Sequence, residues 1–145
     1  MKRLHIHIGV EDLKKTVQYY NAVFDREPSV LKHDYAKWRL DDPAVNFAVT
    51  ARNSKHGLHH LGIEMDDKND LATMADRMRK HAVEYREENN VTCCYAHSDK
   101  VWSQDPQNIS WEMFYSFGAK PTPKACGNDQ ETANNNSSNG TACAC

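Results

Sequence analysis

No part of this 145-residue chain approaches the roughly 18 consecutive apolar residues that a bilayer-spanning helix needs, so a membrane partner is not expected. Basic residues are not in excess. Eighteen Lys and Arg stand against 20 Asp and Glu, for a net charge of -2, and no basic stripe gathers. That balance argues against nucleic acid and anionic lipid, both of which select for concentrated positive charge. Cysteine is scarce and odd in number. Of the five, Cys126, Cys143 and Cys145 fall near the C-terminus, so a disulfide framework is not expected and the thiols suit a reducing compartment. Lys2-Arg3 leads straight into an alternating strand with no apolar h-region, from which a cytoplasmic location is expected. What remains is the prior for one domain, long enough to bury roughly two-thirds of its unfolded surface.

What is present is a repeat. His5-Ile6-His7-Ile8-Gly9-Val10-Glu11-Asp12 and His60-Leu61-Gly62-Ile63-Glu64-Met65-Asp66-Asp67 each place Asp seven residues after His, with registers 55 residues apart. Both alternate as strands and both lead into a helix. The first helix is expected from Asp12-Leu13 to about Phe24, with Leu13, Val17, Tyr20 and Phe24 on one face and Asp12 as cap. The second is expected from about Asp70 to Ala82, carrying Leu71, Ala75, Met78 and Ala82, with Asn69 or Asp70 as cap. Three short alternating segments follow each helix: 29–33, 36–40 and 46–50, then 91–95, 100–103 and 109–115. The resulting order of strand, helix and three strands, twice over, predicts an α+β fold. Two tandem βαβββ modules, about 1–52 and 57–117, would form a curled mixed sheet around a central groove with the helices outside. From 119 to 145 the composition turns to Asn, Ser, Gly and Pro, and a disordered tail is expected after a domain of residues 1–118.

Strand parity then sorts the polar residues. Leu4, Ile6, Ile8 and Val10 form an apolar face, leaving His5, His7 and Gly9 on the other; Leu61, Ile63 and Met65 leave His60, Gly62 and Glu64. In the last strand Glu112 alternates with Trp111 and Met113. His5, His60 and Glu112 therefore face one groove and have the residue types of a two-histidine, one-carboxylate metal site, the donor set associated with non-haem Fe(II) and O2. Three protein ligands would leave positions open for substrate or O2. His7 shares the face of His5 and is the candidate outer partner or substitute ligand; His59 is expected to point away. His33, His56, His81 and His97 follow no such pattern and read as structural or solvated.

Two adjacent thiols, Cys93 and Cys94, add a second donor type, soft enough to hold a thiophilic ion jointly. In a regular strand they would point to opposite faces, so joint chelation requires irregular backbone near residues 90–99. Cys143-Ala144-Cys145 is a further thiol pair, in the expected tail.

The His5 to Asp12-Leu13 pattern with Tyr19-Tyr20, the His60 to Asp67 pattern, and Asp105-Pro106 with Glu112 seven residues after Asp105 resemble the vicinal oxygen chelate superfamily of glyoxalases, bleomycin-resistance proteins and extradiol dioxygenases. The likeness covers residues 1 to about 117. Where that family usually has Gly-Asn in the Asp-Pro turn, this chain has Asn108-Ile109. Within the superfamily, Val91-Thr92-Cys93-Cys94-Tyr95-Ala96, followed by Ser98-Asp99-Lys100 and Trp102, resembles the organoarsenical carbon–arsenic lyases and the cadmium-induced proteins. This resemblance implies an Fe(II)-dependent, O2-consuming lyase that cleaves trivalent organoarsenicals to arsenite. His5, His60 and Glu112 would be its catalytic and metal residues, and Cys93 and Cys94 would bind substrate. It would act as a monomer or homodimer. A thiol-based sequestration protein for cadmium or arsenite and a glyoxalase-like metalloenzyme are the alternatives.

Overall fold

A computed structural model describes residues 1–52, 55–93 and 96–119, the side chains of 93, 118 and 119 excepted. Its elements run β1 (Arg3–Gly9), α1 (Leu13–Phe24), β2 (Val30–Leu31), β3 (Tyr35–Asp41), β4 (Ala44–Thr50), β5 (Gly57–Met65), α2 (Lys68–Lys80), β6 (Tyr85–Cys93), β7 (Ala96–Gln104) and β8 (Ser110–Ala119). This is the expected strand–helix–three-strand order, repeated. All eight strands form one curled mixed sheet in the order β2-β3-β4-β1-β5-β8-β7-β6. Each module pairs its first strand in parallel with its last, β1 with β4 and β5 with β8, and the modules join where β1 runs antiparallel to β5.

The helices lie against the outer face. Leu13, Val17, Tyr20 and Phe24 of α1 pack with Ile6, Ile8 and the buried Trp38, Phe47 and Val49. Leu71, Met74, Ala75 and Met78 of α2 pack with Met65, Val101 and Met113. The 3.6-residue stripe of each helix thus covers the apolar side of its own module's strands and leaves the polar side free for a site. Asp12 caps α1 as expected, accepting from the Lys15 amide at 3.0 Å. In the second module the cap is Asp67, which accepts from the Asp70 amide at 2.9 Å, and not Asn69 or Asp70. This α2 also ends at Lys80. Ala82, expected on its last turn, has φ 52, outside the right-handed helical region.

The Asp105 turn keeps its form despite the departure at Asn108-Ile109. Asn108 takes φ 63, a left-handed conformation that Asn tolerates, while Asp105 Oδ1 accepts from the amides of Gln107 and Ile109 at 2.8 and 2.9 Å. β6 begins at Tyr85, six residues before the expected segment at Val91. Its ladder with β7 slips between Glu88 and Val91, with Asn90 at φ 52, and the β7–β8 ladder slips between Ala96 and His97. Irregular backbone thus flanks the thiol pair. Cys94 and Tyr95 lie outside the described residues, as do Cys126, Cys143, Cys145 and the rest of residues 120–145, while Ala119, assigned to the expected tail, ends β8; Cys93 closes β6, paired with Ala96. Among the described residues no helix is long and apolar enough to cross a membrane.

Candidate metal centre

The inner face of the sheet forms a cleft, open to solvent, to which β1, β3, β4, β5, β7 and β8 all contribute. At its base three predicted side chains converge. His5 Nε2 lies 3.2 Å from His60 Nε2, His60 Nε2 lies 3.2 Å from Glu112 Oε2, and His5 Nε2 lies 3.6 Å from the same oxygen. All three residues are buried, at 4, 2 and 5 % exposure. The sheet explains the convergence: Gly62, without a side chain, is the register partner of both His5 and Glu112, so the strands bearing these ligands flank a bare position.

The donor set fits a divalent cation. Ligands bound at about 2.0–2.2 Å sit roughly 3.0–3.5 Å from one another at right or tetrahedral angles, close to the three separations observed. The proton inventory points the same way. His5 Nδ1 is 3.0 Å from the Asn46 carbonyl, an acceptor only, so Nδ1 carries the proton and Nε2 turns its lone pair inward. His60 Nδ1 is 2.8 Å from His59 Nδ1; with the His60 Nδ1–H donating to that nitrogen, His60 Nε2 is left with its lone pair as a metal-donor atom. Burial, opposed by Glu112 and reinforced by His60, lowers the His5 pKa to about 4, so its ring is neutral near pH 7, the state that ligates. For Glu112 burial opposes ionisation. Contact with the His60 ring, then the Lys100 ammonium, outweighs it and holds the carboxyl below its ordinary range.

Some neighbours were not assigned from sequence. Lys100 donates to Glu112 Oε1 at 2.6 Å and leaves Oε2 to face the histidines. It belongs with Glu112 because Trp102 and Phe114 are the register partners that set these two residues diagonally across β7 and β8. His59, expected to turn away, is instead skipped by a register slip between His7 and Ile8, which brings it beside His60. Phe114 and Trp102 wall the site, their rings 5.1 Å from His5 and 5.2 Å from His60. His7 lines the same cleft, its ring 4.7 Å from that of His60, while the other four histidines stay clear of it. His33 and His56 are exposed, His81 follows the end of α2, and His97 stacks on Phe117.

Residues 2–113 match the profile of the Glyoxalase/Bleomycin resistance protein/Dioxygenase superfamily. The chain belongs to that superfamily. Among its relatives is a trivalent organoarsenical cleaving enzyme from Bacillus sp. (strain MD1), 34 % identical over 119 residues, spanning 80 % of this chain and 74 % of the relative. Another is the cadmium-induced protein CadI of Mycobacterium bovis, 29 % identical over 128 residues, spanning 83 % of this chain and 84 % of the relative. An extradiol ring-cleaving dioxygenase from B. fuscum shares the superfamily fold with a TM-score of 0.61 at 15 % identity, over 82 % of this chain and 34 % of that one.

Proposed function

We propose that this protein is an Fe(II)-dependent lyase that uses O2 to cleave the bond between carbon and trivalent arsenic, releasing arsenite. The observation that carries the proposal is the convergence of His5, His60 and Glu112 at 3.2–3.6 Å in a cleft open on one side. Bound Fe(II) would supply the activation of O2. The remaining work falls to the chain. Asn46 fixes the His5 tautomer, His59 offers His60 Nδ1 an acceptor, and Lys100 balances the carboxylate charge and holds its orientation. Trp102 and Phe114 form apolar walls beside the donor atoms.

Cys93 and Cys94 would hold the arsenical, since soft thiolates bind As(III) far better than hydroxyl or water does. Cys93 supports this role by pairing with Ala96, a residue that lines the cleft. For methylarsenite the balance closes as CH3As(OH)2 + O2 → As(OH)3 + HCHO. Carbon gives up four electrons, O2 takes them, and arsenic stays trivalent.

The test is anaerobic loading with Fe(II), then methylarsenite and air, with arsenic speciation and formaldehyde assay. Arsenite and formaldehyde in equal amounts are expected. Stoichiometric arsenical binding without arsenite would favour the second reading, thiol-based sequestration of cadmium or arsenite, which the likeness to CadI supports.

A further inference from the structure

His7 has no role in the three-ligand reading, yet its setting is unusual for a packed histidine. The residue is 3 % exposed, and its Nε2 is enclosed without a hydrogen-bond partner among the described residues. A ring nitrogen withdrawn from water and left unpaired is costly, and native interiors usually avoid it unless something absent from the bare protein completes the pairing.

Its position says what that partner is. His7 is directly opposite His60 in the β1–β5 ladder, with ring centroids 4.7 Å apart, and its ring is 6.0 Å from that of His5. One ring nitrogen from each of His5, His7 and His60 falls within 4.8 Å of the other two. At a 2.1 Å bond length ligands lie about 3.0 Å apart at right angles and about 4.2 Å apart on opposite sides of an ion, so the three rings would draw together to share one.

We infer that His7 is a fourth protein ligand of the metal held by His5, His60 and Glu112. The inference rests on the metal reading proposed above and goes beyond its three ligands. Three neutral imidazoles and one carboxylate would leave a six-coordinate ion two exchangeable positions, where the three-ligand set leaves three. They would also bias the site towards ions that favour nitrogen.

The experiment loads the full-length protein with one equivalent of Fe(II) under argon. Fe(II) is chosen because softer ions would also seek the thiols. Two readouts are then taken: the Fe(II) dissociation constant, and the number of hyperfine-shifted, solvent-exchangeable imidazole N–H resonances in the paramagnetic proton spectrum. Three such resonances are expected in the unaltered protein and two in His7→Leu. The Leu variant should also bind Fe(II) at least roughly tenfold more weakly, a loss that even an outer partner of a ligand can cause.

Two resonances in the unaltered protein, or equal affinity in His7→Leu, overturn the role of His7 and leave the iron site standing. No uptake of Fe(II) by the unaltered protein overturns both. Should His7→Leu fail to fold, the resonance count of the unaltered protein decides alone.

Discussion

Replacing Gly62 with alanine perturbs the site without touching a ligand. A Cβ built at this position would stand 2.0 Å from the Glu112 carbonyl oxygen and 3.0 Å from its carbonyl carbon. The obstacle is backbone, so no rotamer change relieves it. To recover even the 3.0 Å that real contacts respect, β5 and β8 must part locally by 1.0 Å. Two consequences differ in size. Weakening one or two ladder hydrogen bonds costs about 0.5–1.5 kcal/mol each, so the metal-free fold should lose about 0.5–3 kcal/mol. Metal–ligand distances, by contrast, hold within about 0.2 Å, and a shift several times larger removes Glu112 from the coordination sphere. Fe(II) affinity should therefore collapse while the protein still folds. Equilibrium Fe(II) binding under argon, beside urea unfolding of the metal-free protein, separates the two effects. A Gly62→Ala protein with unaltered Fe(II) affinity would refute the reasoning, because it would mean that Glu112 is free to move or is not a ligand.

Lys100→Met should destabilise the metal-free protein by about 3–5 kcal/mol, the usual cost of leaving one buried charge unpaired. Added Fe(II) should restore part of the loss, since the ion also balances Glu112; equal unfolding midpoints with and without Fe(II) would contradict this. The pH dependence has a definite sign. Burial first, then neighbouring histidines, depresses His7 to about 2, and burial depresses His5 to about 4, against 6.5 when unfolded. The unfolded chain thus binds more protons below about pH 6.5. Stability of the metal-free protein should fall from there towards pH 4 by about 1.4 kcal/mol per pH unit for each ring, and urea midpoints that stay level or rise on acidification would exclude neutral burial. Cys93→Ser or Cys94→Ser should leave Fe(II) binding intact and abolish turnover at low arsenical concentration, a hydroxyl being a hard, weak ligand for arsenic. Loss of iron from either variant would show that the thiols serve the metal instead.

Much of the architecture was legible because both helices and most strands carry clean periodicity. His5, His60 and Glu112 could be aligned by parity alone, before any contact was known. Where local cues competed, they misled. The repeat itself matches Asp67 to the capping Asp12, yet Asn69 and Asp70 are equally good cap-forming residue types; the extended backbone at Asp67, φ -145 and ψ 167, makes it the cap. The start of β6 was hidden because Arg86, Glu87 and Glu88 are charged in succession, as suits an edge strand, and such a run shows no apolar alternation. Lys100 and His59 depend on ladder register and its slips, which are non-local and leave no mark in a single sequence.

The seam between β1 and β5 has a consequence for how the molecule breathes. Each half keeps its own apolar cluster and its own helix, and the β1–β5 ladder joins them. His5 and His7 belong to one half, His60 and Glu112 to the other. Neither half alone contains a usable donor set, so the centre exists only while the halves are zipped together. Fraying of the ladder would dismantle it at once, before either cluster melts, and an ion bound there would in turn act as a clasp across the joint.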